Sequence, residues 1–165
     1  SAQVLASPTL LDLPAGARQR VWLLPASSAP VAVEQAFRII LAPAEPAMPR
    51  YSLPLFRGEP VPTAAPALQA EVVVNGSQFM LRLLNSGNGH ARLSDLAYEG
   101  ADGHRSLLLP GLAGYVLAAR QRQWQLPPRA DGYAGGRFHA RLQDGTAVIL
   151  AAPAPAIAAR QPSGL

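Results

Sequence analysis

Prolines and glycines punctuate this chain densely enough to disfavour long helices: 17 prolines and 14 glycines occur in 165 residues. Proline removes a backbone donor and clashes inside a helix, and glycine marks turns. Between them lie short apolar runs, and short apolar runs bounded by turn residues read as strands. The expected fold class is all-β.

Two of these runs, Ala36 to Leu41 and Tyr51 to Phe56, flank a connector rich in proline and alanine. They are expected to be neighbouring strands of one sheet with a long connection. The second run holds Pro54, which gives no N–H to a ladder and so places the strand at an edge. An edge strand with open hydrogen-bonding groups accepts a strand from another chain. Tyr51, Leu53 and Leu55 alternate along it and share a face. That face suits the pockets of an accepting partner as well as it suits an ordinary core. Left open, it also offers self-association with a second copy of the chain.

Upstream, SPTLLDLPAGARQRVWLL (Ser7 to Leu24) carries a turn signal at Pro14-Ala15-Gly16, followed by a strand-like run in which Val21 and Leu23 alternate with Arg20, Trp22 and Leu24. The first 60 residues thus hold about three strands, too few for an independent sandwich. Arg57 to Pro66 (RGEPVPTAAP) reads as a linker with a domain boundary.

Beyond it the pattern is regular. Leu68 to Val74 and Gln78 to Leu84 flank Asn75-Gly76, a strong hairpin signal, with Phe79, Leu81 and Leu83 on one face. Ala91 to Tyr98, Arg105 to Leu109, Gly114 to Leu117, Gln123 to Leu126, Arg137 to Leu142 and Thr146 to Ala151 follow as strands or strand pieces. About seven short strands spaced by turns suggest an immunoglobulin-like β-sandwich. The expected domains are 1–60 (incomplete), 61–152 (immunoglobulin-like sandwich) and 153–165 (a disordered tail).

Composition narrows the chemistry. Apolar residues make up 49%, enough for a core, and aromatics only 6%, so the core should be mostly Val, Leu and Ala. The formal charge is +4, every basic residue is arginine, and the arginines are scattered from Arg18 to Arg160. A nucleic-acid binder usually clusters its cations on one face, so no nucleic-acid partner is expected. No segment has the roughly 18 consecutive apolar residues of a membrane span, so no membrane insertion is expected. Cysteine is absent, which excludes disulfides and thiolate metal sites.

The order of the segments resembles the periplasmic pilus chaperones of chaperone–usher systems, the PapD-like chaperones. Ser7 to Val21 is similar to a first-domain segment of that family, with its proline, then Leu13-Pro14-Ala15-Gly16, then Gln19-Arg20-Val21. Glu34 to Leu41 resembles its sixth strand, and Tyr51-Ser-Leu-Pro-Leu-Phe the end of its seventh. Leu84 to Leu96 resembles the asparagine turn and following strand of the second domain, and GYVLAARQRQW (Gly114 to Trp124) a segment of its archaic and related branches.

The resemblance implies two immunoglobulin-like domains, periplasmic localisation and no catalysis or cofactor. It also implies donor-strand complementation: the seventh strand completes an unfinished pilus subunit, the subunit's C-terminal carboxylate is held by basic residues in the cleft between domains, and an outer-membrane usher receives the complex. Relative to the family, the opening strands of the first domain are missing, so the chain reads as a fragment or truncated product. The family's usual seventh-strand lysine falls near Pro54. Arg50 and Arg57 are the nearby cations nominated for the carboxylate, because guanidinium offers a planar bidentate fork.

Other residues carry less. His90, His104 and His139 lack metal-ligand spacing and are expected at the surface or in turns. Ser94 lies in no Gly-x-Ser-x-Gly elbow, and Gly132 to Gly136 lacks the lysine of a phosphate loop. Trp22 and Trp124 are expected to be buried anchors, one per domain. Asn85 and Asn88 are expected to serve turn geometry, since asparagine tolerates positive φ. The alternative function is an adhesive or carbohydrate-binding β-sandwich module, in which a loop aromatic such as Tyr133 would contact the ligand.

Overall fold

The computed structural model describes residues 4–58 and 66–151. The chain divides into two compact units, Ser1–Pro30 and Val31–Leu165. Part of the expected linker (59–65) and the whole expected tail (153–165) lie outside the described residues. Among those described, no helix is long and apolar enough to cross a membrane.

The first unit is an antiparallel ribbon of β1 (Val4–Ser7) and β2 (Trp22–Pro25), paired from Val4↔Pro25 to Ser7↔Trp22. The sequence reading does not include β1, which is too short to show a period. The expected turn forms, with Gly16 at φ +77° and Ala17 N–H donating to Pro14 O at 3.0 Å. Trp22 is not a buried anchor: it is 58% exposed, with the Arg20 guanidinium over its ring at 5.5 Å. A two-stranded ribbon has no interior in which to bury an indole.

The second unit opens with a hairpin of β3 (Gln35–Leu41) and β4 (Tyr51–Arg57), paired from Gln35↔Arg57 to Leu41↔Tyr51. Seven further strands follow: β5 (Leu68–Asn75), β6 (Gln78–Asn85), β7 (Ala91–Glu99), β8 (Arg105–Val116), β9 (Arg120–Leu126), β10 (Arg137–Arg141) and β11 (Ala147–Ala151). They form one sheet ordered β5-β6-β9 and another ordered β11-β10-β7-β8. Their inner faces bury Val72, Leu81, Leu83 and Trp124 from the first sheet against Leu93, Leu96, Tyr98 and Phe138 from the second. The fold is all-β, and this part is an immunoglobulin-like two-sheet sandwich.

Two features of the second sheet depart from simple alternation. An unbroken period of two along β7 would put Leu93 and Leu96 on opposite faces, yet both are buried. A bulge reconciles them: Asp95 takes φ +52°, and the register with β8 shifts on both sides of it. Opposite the bulge, Asp95 Oδ1 accepts from Gly111 N–H at 2.9 Å, with Gly111 itself at φ +66°. There the segments read as two pieces, Arg105 to Leu109 and Gly114 to Leu117, join into one 12-residue strand. Pro110 does not interrupt it because β8 is the sheet's edge, where a missing N–H costs no ladder bond.

Asn85 is fully buried, and its side chain rather than its backbone conformation does the tying. Its Nδ2 donates to Gly89 O (2.8 Å) and Val116 O (3.1 Å), and its Oδ1 accepts from Ala67 N–H and Gly87 N–H, both at 3.0 Å. The amide thus fills all its donor and acceptor positions and fixes the loop between β6 and β7 to the end of β8.

At the other end of the core, Tyr133 packs against Tyr98 and Phe138 at centroid distances of 4.8 and 5.8 Å. Its hydroxyl donates to Pro127 O at 2.7 Å, and burial pushes its phenol up to about 12. Arg129, held by Asp131 through two bonds of 3.0 and 2.9 Å, lies over the Tyr98 and Tyr133 rings. That pairing holds the Asp131 carboxyl below the usual carboxylate range.

Asn85→Ala would leave buried N–H and C=O groups unpaired and is expected to lower stability by about 2–4 kcal/mol. Urea unfolding measures this as a lower midpoint with an unchanged slope. For Tyr133 the folded-state phenol titrates above its value of about 10 in the unfolded chain. Its contribution to stability is therefore complete below about pH 10 and is lost as pH rises towards about 12. Ultraviolet titration should show one phenolate step near the top of that window, absent in Tyr133→Phe.

Candidate functional site

Antiparallel register sorts the hairpin side chains into two faces. One carries Phe37, Ile39 and Leu41 opposite Leu55, Leu53 and Tyr51, so six apolar residues lie together. The three residues nominated from sequence share this face: Tyr51 (60% exposed) and Leu53 (48%) are open, and Leu55 is half-buried. Among the described residues β4 pairs with β3 alone. One long side of β4 is therefore without a ladder partner, and Pro54 sits within that strand.

The other face of the hairpin looks into a cleft of about 590 Å³. Arg38, Ser52, Pro54 and Phe56 form one wall; Leu112, Gly114, Tyr115 and Arg122, from β8 and β9, form the other. Arg38 Nη1 donates to Ser52 Oγ at 2.9 Å. Arg122 Nη1 donates to Tyr115 O at 3.3 Å, and its guanidinium lies over Trp124 at 5.1 Å. Neither guanidinium meets a carboxylate among the described residues. Gly114, at φ +136°, lets Arg122 lie directly against the backbone; a Cβ there would collide with the guanidinium. The walls mix apolar side chains with two arginines that meet no carboxylate among the described residues, a setting for an anionic end of an otherwise apolar ligand.

The cations nominated from sequence stand elsewhere. Arg50 precedes β4 and is exposed, and Arg57 ends β4, where its Nη1 donates to Gln35 Oε1 at 3.4 Å. A strand's length, about 20 Å, separates them, so they do not converge on one carboxylate. Neither lines the cleft. Sequence reasoning passed over Arg38 and Arg122. Arg38 carried a signal, as the one charge inside the apolar run Phe37 to Leu41. Arg122 carried none, because only the pairing of β9 with β6 determines which way it points.

The hairpin is seated on the sandwich by a small cluster. Glu34 N–H donates to Asn88 O at 2.9 Å, and Glu34 Oε1 accepts from His90 N–H at 3.1 Å and meets His90 Nδ1 at 2.7 Å. Phe56 stacks on the His90 ring, with centroids 3.7 Å apart and planes 11° from parallel. Tyr115 closes the group at 5.5 Å from Phe56 and 5.7 Å from His90. His90 lies in the loop between β6 and β7 but is not a surface histidine; it is mostly buried in this contact. The hairpin thus takes its place relative to β8 through a contact between residues 56 positions apart.

The remaining candidates scatter. His139 pairs with Glu99 at 3.1 Å, and His104 N–H donates to Asp102 Oδ1 at 2.9 Å. Ser94 Oγ donates to Arg141 O at 3.5 Å. Among the described residues, no three His, Asp or Glu side chains converge to hold a metal. Tyr133, the aromatic on which a carbohydrate-binding reading rested, is 2% exposed and belongs to the core. Its loop folds inward because the ring joins Tyr98 and Phe138 there and the hydroxyl bonds Pro127 O.

No protein-family model matches the chain, and no curated protein matches it. Among solved structures it is similar to a chain of the CsuC–CsuE chaperone–tip adhesion subunit pre-assembly complex from archaic chaperone–usher Csu pili of Acinetobacter baumannii, with a TM-score of 0.68 and 22% identity. The match covers 93% of this chain and 76% of that one. At this identity the likeness establishes the fold.

Proposed function

We propose that the chain is a pilus-subunit chaperone that works by lending a strand. In this reading β4 adds to the open edge of an unfinished subunit, and Tyr51, Leu53 and Leu55 enter successive pockets of its groove. Backbone pairing along the strand supplies affinity, and the alternate side chains supply register and specificity. The work is binding, with no bond made or broken and no cofactor. The complex forms in the periplasm and is passed to an outer-membrane usher. Without a subunit, the same open edge takes a second copy of the chain.

The observation that carries this reading is the side of β4 without a ladder partner among the described residues, combined with the exposure of Tyr51 and Leu53. A long, apolar, uncovered edge is a liability that proteins ordinarily blunt, so its retention favours a strand-pairing role. Two further findings support it. The order of sequence segments resembles chaperone–usher chaperones, and the fold is shared with a chain of a chaperone–subunit complex from such a system. The cleft beside β4, with Arg38 and Arg122 in its walls, suits the C-terminal carboxylate of the captured subunit.

Co-expression with a pilus subunit lacking its own closing strand tests the proposal. The double variant Tyr51→Asp, Leu53→Asp is expected to fold, because both side chains are exposed. It should lose subunit capture by about a hundredfold or more, since a carboxylate buried in an apolar groove goes unpaired. Capture at the wild-type level would refute the assignment of this strand face.

A further inference from the structure

The two sheets of the sandwich end in four edge strands, β5, β9, β8 and β11. Three are covered or blunted. β5 and β11 lie against each other along one side. β8 carries Pro110 and the bulge opposite Asp95, features that discourage pairing. The fourth, β9, pairs with β6 alone among the described residues. It holds no proline, and its ladder with β6 runs from Phe79↔Leu126 to Asn85↔Arg120 without a shift. We propose that β9 is a self-pairing edge. Two copies of the chain meet antiparallel along it, about a two-fold axis at Gln123, and their three-stranded sheets join into one of six strands.

The sequence of the strand selects both the occupant and the register. β9 reads RQRQWQL, with every side chain exposed except Trp124 and Leu126. Gln121, Gln123 and Gln125 alternate along the outer face, beside Leu84, Arg82 and Met80 of β6. With Gln123 on the axis, the whole strand overlaps its copy. Gln123 meets the partner's Gln123, and Gln121 meets the partner's Gln125. A row of uncharged amides then crosses the junction, and each amide both donates and accepts. On the other face, Arg122 stands opposite the partner's Trp124, and Arg120 opposite the partner's Leu126. Arg122 already lies over its own Trp124 at 5.1 Å, and arginine beside an indole is attractive.

Neighbouring registers are worse. Moving the axis to Arg122 sets that residue against itself, and moving it to Gln121 sets Arg120 against Arg122. Like charges directly opposite destabilise a strand pair. Moving it the other way, to Trp124, leaves Arg120 and Gln121 outside the overlap. The contact is isologous, so it closes at two copies.

This pairing is independent of strand lending at β4, and single thiols test it on the full chain. The chain contains no cysteine, so one introduced thiol bridges only two copies. Residues facing each other in an antiparallel pair have Cα atoms about 4.5–5.5 Å apart. A disulfide spans about 4.4–6.8 Å. Gln123→Cys should therefore give a disulfide-linked dimer under mild oxidation. Positions 121 and 125 each lie about 14 Å from their own counterparts. Gln121→Cys and Gln125→Cys should cross-link at least about tenfold less when alone, and should link to each other when mixed. Gln123→Lys puts like charges on the axis and should weaken the dimer about three- to tenfold in sedimentation equilibrium, more so at low salt. These side chains are exposed and line no part of the cleft beside β4, so the variants should fold and keep subunit capture. Tyr51→Asp, Leu53→Asp should leave this dimer intact. Equal cross-linking at all three positions, cross-linking at none, a dimer unmoved by Gln123→Lys, or its loss in the β4 variant overturns the proposal.

Discussion

Seating of the β3–β4 hairpin is the constraint on which the candidate site depends. A two-stranded ribbon buries too little to hold its own position. Here it is fixed by a carboxylate that accepts from the backbone and ring of one histidine, and by a phenylalanine stacked on the same ring. That contact places Arg38 and Phe56 across a cleft from Tyr115 and Arg122. It uses the inner hairpin face near Phe56 and leaves Tyr51 and Leu53 exposed on the outer one.

The sandwich supplies the rigid side of this arrangement. The far wall of the cleft is the C-terminal half of β8 and the start of β9, and both are pinned by buried polar bonds as well as by packing. Asn85 reaches Val116 O at the end of β8, and Trp124 Nε1 donates to Ala113 O at 3.0 Å within it. The bulge at Asp95 and Gly111 bends β8 between its two halves. Strand edges are treated in opposite ways in the two parts. On β8 the edge carries a proline and a bulge, features that discourage pairing with another chain. On β4 a single proline lies between exposed Leu53 and half-buried Leu55, and among the described residues the strand pairs on one side only.

Much of the second unit was legible because its signals are local. Glycine at the first loop position between β5 and β6, alternation through Leu81 and Leu83, and the Asp144-Gly145 turn each act over a few residues. The errors arose where long-range packing reversed a local cue. Arg105 to Leu109 and Gly114 to Leu117 read as separate pieces and belong to one edge strand; Tyr133 looked like a loop aromatic and is core; Trp22 looked like an anchor and is exposed. In each case the outcome depends on which element lies opposite, and periodicity carries no information about that.

For the site, the chain's own order of residues determined that β3 and β4 would be strands, that Pro54 would favour an edge, and that Tyr51, Leu53 and Leu55 would share a face, because a period of two is a property of the backbone alone. Only the tertiary structure decided which cations face the cleft. Arg50 and Arg57 are near β4 in sequence but stand at its two ends, whereas Arg38 and Arg122 are 84 positions apart and line the same cleft. It likewise decided that His90 would meet Glu34 and Phe56. Convergence of distant side chains is set by how sheets pack and hairpins dock, and those contacts exist only once the chain has folded.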